Sequence, residues 1–253
     1  MSRFMTPIHT IVVNGTDLSS YCGLYTSGEG TFDSAEKDYE LITVPGRTGD
    51  LIRFNKRTKN GTVSYPSFIV DDFEANMIKL RNFLYSLPVD YVRIVDTRHN
   101  DEYRMGIHTG TLNPTVLGYL EAATFDLQFN VMPQRFLKSG EAPVTYSSGS
   151  HSINNPTNYD ASPLMRVAMG SAQKSTTIRV NGVAISISGL PSNGMTLLLD
   201  FEKQNAVNAS TGASVNPYTI VDNHEYPKLK PGANTITTDS SATVYLTPRW
   251  YRL

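Results

Sequence analysis

Over much of the chain, hydrophobic and polar residues alternate with a period of two, the pattern of strands that bury one face and expose the other. Residues 122–131 show it most clearly. Phe125, Leu127, Phe129 and Val131 fall on one side, and Asp126, Gln128 and Asn130 on the other. Further β-rich runs lie at 7–13, closed by Asn14-Gly15, and at 39–44, 49–54, 62–70, 91–96 and 102–112. The runs YELITV and GDLIRF flank Pro45-Gly46-Arg47-Thr48. Proline followed by glycine between two β-rich runs is a turn signal, so this segment predicts a hairpin. Pro66, inside the run 62–70, predicts an edge strand or a bulge, because proline has no N–H to give to a ladder.

The period changes once. From 71 to 87 the apolar residues Phe73, Met77, Leu80, Leu84 and Leu87 are spaced four, three, four and three apart, which is one face of a helix. Asp71 or Asp72 is placed to cap its start, and Pro88 to end it.

The composition shifts at 138–163, where Ser, Asn, Gly and Pro replace large apolar groups. This stretch reads as a linker or as a strand with long loops. It sets a domain boundary near Leu137, giving domains at 1–137 and 138–253. Beyond it, TTIRV and VAISIS flank Asn181-Gly182, a strong short hairpin signal, because a type I′ turn needs positive φ at both central residues. Strands follow at 195–201, 218–221, 235–238 and 243–246, with no amphipathic helix pattern among them. The expected fold class is mainly β: an N-terminal sandwich with one helix and an extended hairpin, then an all-β C-terminal sandwich.

Charge and composition narrow the function classes. The 253 residues are 40% hydrophobic and 18% charged, with a formal net charge of −1. That is enough apolar material for packed cores, and it lacks the basic excess of a nucleic-acid binder. Cys22 is the single cysteine. It excludes an intrachain disulfide and a cysteine-based zinc site, and is expected to be buried and inert. No run of about 18 apolar residues occurs, so no membrane-crossing helix is expected.

Catalytic patterns are absent. The five histidines, His9, His99, His108, His151 and His224, lie too far apart for HxH or HExxH pairs. There is no nucleophile elbow and no phosphate-binding loop, and Gly28-Glu29-Gly30 is a lone GxG without a following helix. The acidic pairs Asp71-Asp72 and Asp101-Glu102 sit at a helix start and in a turn. The reading is therefore a non-enzyme without metal or cofactor. Trp250, the only tryptophan, reads as a core or interface anchor rather than a sugar-stacking platform.

The order of motifs is more specific than any one of them. Val44-Pro45-Gly46-Arg47-Thr48-Gly49-Asp50-Leu51 in a hairpin is followed by a helix ending Leu84-Tyr85-Ser86-Leu87. Then come Tyr91-Val92-Arg93-Ile94-Val95-Asp96, Asp101-Glu102-Tyr103-Arg104 and a long strand closing in Met132-Pro133-Gln134-Arg135-Phe136. The second half has Asn154-Asn155-Pro156, Arg179-Val180-Asn181-Gly182, the stretch from Tyr226-Pro227 to Gly232-Ala233-Asn234, and Pro248-Arg249-Trp250-Tyr251. In this order the chain resembles, over nearly its whole length, the distal tail proteins of siphophages, the phages with long non-contractile tails.

The resemblance implies an N-terminal domain related to tail-tube proteins and a galectin-like C-terminal sandwich, here without a long insertion. It implies a homo-hexameric ring, or stacked pairs of rings, at the distal end of the virion tail, assembled in the host cytoplasm. Its central channel would let DNA pass. Its neighbours would be the tail tube protein, a tail-associated lysin or tail fibre protein, and receptor-binding or baseplate proteins. No membrane insertion is implied. A hairpin that leaves its own sheet exposes backbone groups and needs a partner, which a closed ring of identical subunits supplies. Val44, Pro45, Gly46, Arg47, Thr48 and Gly49 are therefore the ring-interface candidates, with Arg47 offering a rigid fork of donors and Gly46 or Gly49 the backbone freedom of the turn. The alternative function is a carbohydrate-binding module acting on host surfaces, with Tyr218, Tyr226 and Trp250 as its aromatic candidates. A cell-wall hydrolase is a third reading, without a nucleophile or metal signature to carry it.

Overall fold

The strongest alternation in the sequence becomes the longest strand. In the computed structural model, which describes residues 8–28, 34–70, 72–118, 122–239 and 242–253, the run from Ala122 continues unbroken for 16 residues to Leu137. Phe125, Leu127, Phe129 and Val131 are buried, as the period of two requires. The chain divides into two compact units, residues 1–135 with Leu253, and residues 136–252.

In chain order the first unit holds β1 (Ile11–Val13), β2 (Thr16–Asp17), α1 (Leu18–Cys22), β3 (Leu24–Thr26), β4 (Lys37–Ile42), β5 (Leu51–Thr58) and β6 (Gly61–Ile69). It continues with α2 (Phe73–Ser86), β7 (Val92–Asp96), β8 (Glu102–Thr109), β9 (Thr115–Leu117) and most of β10 (Ala122–Leu137). One sheet runs β2-β1-β7-β8-β10-β6-β3, and β9 adds to β10. His9 and Thr26 exchange two backbone hydrogen bonds, 3.0 and 2.9 Å, which bring the two ends of this path together around one core. Asn14 and Gly15 both have positive φ, the geometry the first turn needs to fold β2 back on β1.

The helix packs Met77, Leu80 and Leu84 into that core, with Phe73, Phe83 and Leu87 partly buried beside them. Leu80 is fully buried, so trimming it to alanine would cost about 2–5 kcal/mol. The start of the helix differs from the sequence expectation. Asp72 stands at the cap in a left-handed conformation (φ 44°) and makes no side-chain cap bond, while Asp71 lies outside the described residues. Pro66 is not in an edge strand: β6 lies between β10 and β3. Its carbonyl accepts from Ser27 N–H (3.0 Å), just past the last paired residue of β3. In a strand the N and C=O of one residue point the same way, so the missing donor falls where the neighbouring strand has already ended.

Cys22 is buried, and its thiol donates to the Leu18 carbonyl (3.3 Å). Burial pushes the thiol up to about 11, which keeps it protonated and unreactive. At one end of the sheet the inward positions carry charge instead of hydrocarbon. Asp96, Glu102 and Arg104 are buried, and Arg135 Nε lies 2.7 Å from Glu102 Oε1, a close ion pair poorly aligned for a hydrogen bond. Buried charges persist only when opposite charges are this close.

The second unit holds β11 (Val144–Tyr146), β12 (Gly149–Asn155), β13 (Leu164–Met169), β14 (Thr176–Val180), β15 (Val183–Ile187) and β16 (Thr196–Asp200). After these come β17 (Asn205–Asn208), β18 (Thr219–Val221), β19 (Gly232–Thr238), β20 (Ala242–Thr247) and β21 (Tyr251–Arg252). Two five-stranded sheets, β11-β20-β13-β16-β17 and β12-β19-β14-β15-β18, enclose Val167, Ile178, Ile185, Leu197, Ile236 and Val244. The β14–β15 turn has Asn181 at φ 51° and Gly182 at φ 87°, as a type I′ turn demands.

The polar stretch 138–163 is not a linker. It supplies β11 and β12, and β12 pairs with β19 over seven residues. Both are the outermost strands of their sheets, where one flank and one face meet solvent, so few apolar residues are needed. Asn155 anchors its end. The buried amide donates to the carbonyls of Tyr159 and Leu229 and accepts from the N–H and hydroxyl of Thr157. Trp250 is buried in this core, and its carbonyl accepts from Leu137 N–H at 2.8 Å.

Candidate assembly interface

β4 and β5 form a two-stranded sheet of their own, paired among the described residues with no other strand. The turn between them spans Thr43 to Asp50, whose side chains meet at 3.0 Å. Gly46 and Gly49 have φ of 79° and 81°, so both glycines are required by the turn. The Arg47 N–H donates to the Val44 carbonyl (3.1 Å). All six sequence-predicted interface residues, Val44 to Gly49, stand together at this exposed tip. Among the described residues, the Arg47 side chain has no hydrogen-bond or ion-pair partner.

The register sorts the stem into two unlike faces. Tyr39 lies opposite Phe54, and Leu41 opposite Ile52; Glu40 lies opposite Arg53, and Ile42 opposite Leu51. Directly opposed residues share a face, and alternate residues share a face along a strand. One face is therefore Tyr39, Leu41, Ile52 and Phe54, a wholly apolar ridge. Their exposures are 46%, 56%, 69% and 50%. The other face is mixed. Arg57 Nε donates to Asp38 at 2.6 Å, Asn55 donates to Asp38 at 3.2 Å, and Arg53 stands 3.8 Å from Glu40. The hydrogen bonds from Arg57 and Asn55 hold the Asp38 carboxyl below the ordinary range. Near the base the register slips between Lys37 and Tyr39, where Lys56 has positive φ (57°), a bulge that increases twist.

Sequence reasoning located the hairpin and its tip but missed the ridge on its stem. The signal was present: the turn fixes the register, and Tyr39, Leu41, Ile52 and Phe54 alternate with polar residues on either side of it. An isolated two-stranded ribbon is marginal in water, and a four-residue apolar face left open is costly.

Elsewhere the structure offers little chemistry. Among the described residues no group of three or more His, Cys, Asp and Glu could hold a metal ion. Of the lone GxG only Gly28 lies within the described residues. Two of the three aromatic candidates for sugar binding, Tyr226 and Trp250, are buried in the second core, and Tyr218 is partly buried against it. None of the three presents an open ring for stacking.

No protein-family model matches the sequence, and no curated protein matches it. Solved structures do. The chain is similar to the SPP1 Dit protein, described as a paradigm of the hub adsorption apparatus in phages infecting Gram-positive hosts. The identity is 15% and the TM-score 0.74, over 97% of this chain and 99% of that one. It is also similar to a chain of the phage P2 baseplate in its activated conformation with calcium, at 8% identity and TM-score 0.57 over 95% and 97% of the two chains. The strontium form of that baseplate gives 8% and 0.54 over 94% and 97%. The fold of this chain, across both units, is the fold of these phage hub and baseplate proteins.

Proposed function

We propose that this chain is the distal tail protein of a siphophage, a structural hub of the virion tail tip and not an enzyme. Six copies form a closed ring through their first units, singly or as stacked pairs. The ring's channel continues the tail tube and passes DNA. The tail tube protein lies on one side and a tail-associated lysin or tail fibre protein on the other. The second unit is an independently folded, galectin-like domain facing peripheral receptor-binding or baseplate proteins.

The observation that carries this reading is the fold match to a hub protein over 97% of this chain and 99% of that one. The exposed ribbon supports it independently, since a free apolar ridge on a folded unit calls for a protein surface to cover it. The near-neutral charge suits a conduit that must release DNA rather than hold it. Negative-stain microscopy of the purified protein tests the proposal. Class averages are expected to show six-fold rings with a central opening, and antibody labelling is expected to fall on the tail tip. Particles that remain single subunits, alone and with the tail proteins added, contradict it.

A further inference from the structure

The first unit carries a second open apolar surface besides the ridge. The last turn of α2, the connection 88–91 and the end of β8 form a groove whose lining is mostly apolar, chiefly Leu84, Tyr85, Leu87, Val89 and Ile107, with Asp90 and His108 beside them. Tyr85 is 91% exposed and Val89 fully so. The groove adjoins the base of the ribbon. Asn60, between β5 and β6, donates to the Tyr91 hydroxyl at 2.6 Å. Yet the ridge of the same chain does not fill it, because Leu41, Ile52 and Phe54 all remain half exposed or more.

The two surfaces match in chemistry and in order. Past Leu41 and Ile52 the apolar ridge runs out at Thr43 and Asp50, toward the tip. Leu84, Tyr85 and His108 also line an adjoining pocket, and there Arg81 stands one helical turn before Tyr85 on α2. Arg81 makes no ion pair among the described residues. A ridge of four large apolar groups ending in a carboxylate thus matches a mostly apolar trough with a guanidinium beside it.

Granted the ring reading above, we infer that the occupant of this groove is the ribbon of a second copy: Tyr39, Leu41, Ile52 and Phe54 of one subunit seat against Tyr85, Val89 and Ile107 of the next. Asp50 then meets Arg81. The contact is head-to-tail, with different surfaces on the two sides, the kind whose repetition closes a ring when its rotation divides the circle. Because each groove lies beside its own ribbon, each seated ribbon also abuts the base of the next one.

Paired cysteines test this directly. Cys22 is buried and held protonated, so it stays silent. The full-length Ile52→Cys/Val89→Cys variant, treated with a mild oxidant, is expected to give an intermolecular ladder that ends at the ring. A control pair, Ile52→Cys/Ser210→Cys, is expected to give none. A ladder from the control as well, or a compact cross-linked monomer from the test pair, overturns the inference. A second arm does not depend on oxidation. Val89→Asp, at a fully exposed position, is expected to weaken assembly at least tenfold with unchanged circular dichroism. Asp50→Arg and Arg81→Asp are each expected to weaken it, and their combination to restore it. Rings that persist without cross-links and ignore Val89→Asp overturn the groove assignment and leave the hub reading standing. An unmodified protein that forms no rings brings down both.

Discussion

Leu41 lies directly opposite Ile52 across the β4–β5 ribbon, and both side chains stand more than half exposed, at 56% and 69%. Neither contributes much to the fold of a single subunit. Replacing Ile52 with Asp is therefore expected to leave the thermal midpoint of the subunit nearly unchanged. In an assembly that covers the ridge, the lost burial alone is worth about 1.5–3 kcal/mol, a tenfold to hundredfold weakening. Sedimentation velocity beside differential scanning calorimetry reads both quantities on one preparation. A large drop in the midpoint would place Ile52 in the subunit's own core instead.

Arg47 stands exposed at the tip of the same ribbon, its backbone N–H donating to the Val44 carbonyl. If a carboxylate or carbonyl group of a neighbouring subunit receives it, Arg47→Ala costs about 2–5 kcal/mol of association. Its circular dichroism spectrum is expected to match the parent's. Wild-type concentration dependence of assembly in this variant removes the tip from the interface and leaves the stem ridge as its basis.

How much of this was legible in the sequence depends on how local the cause is. Asn181-Gly182 and Pro45-Gly46-Arg47-Thr48 were readable because a turn's φ requirements are carried by its own residues. The α2 stripe was readable because one face of a helix repeats at fixed spacing. The polar run 138–163 was ambiguous between linker and strand, because an edge strand needs so few apolar residues that composition alone cannot tell the two apart. Pro66 misled for a non-local reason: whether a strand lies at an edge depends on where β3 stops. The ridge on the ribbon stem is a middle case. Its residues alternate visibly, but their exposure follows only from tertiary structure, since among the described residues no second sheet lies against them.

The division of the chain predicts an autonomous second domain. Leu137 is buried in the second core and tied to Trp250, so a fragment should begin at Phe136. Residues 136–253 are expected to unfold cooperatively in urea. Within that fragment, Arg249 Nη1 donates to Asp200 at 3.0 Å. Burial pushes the Asp200 carboxyl up, but the hydrogen bond and charge of Arg249, with the Glu202 and Lys203 N–H groups, bring it below its ordinary value. Arg249→Met leaves that carboxylate without its main counter-charge and is expected to destabilise the fragment by about 1–3 kcal/mol. A fragment that stays disordered would sink the boundary.

His108 gives the first unit an acid sensitivity. Burial, with the ring edge-on to Phe129 at 5.8 Å, holds the imidazole below its ordinary value of 6.5. The unfolded chain then binds a proton that the folded one refuses. Stability is fully present above pH 6.5 and falls as pH drops from there through the lowered folded value. Thermal midpoints across this range are expected to decline for the parent protein and to decline less for His108→Gln. Equal slopes in the two proteins would show that His108 is not the source.

The central claim is that this chain works as a closed ring, and native mass spectrometry of the purified full-length protein tests it most directly. The account predicts a dominant species six times the 28.0 kDa protomer, or twice that for stacked rings, which Ile52→Asp converts to single subunits. A protein that stays at 28.0 kDa over the whole concentration range, and remains so when its tail partners are added, contradicts it.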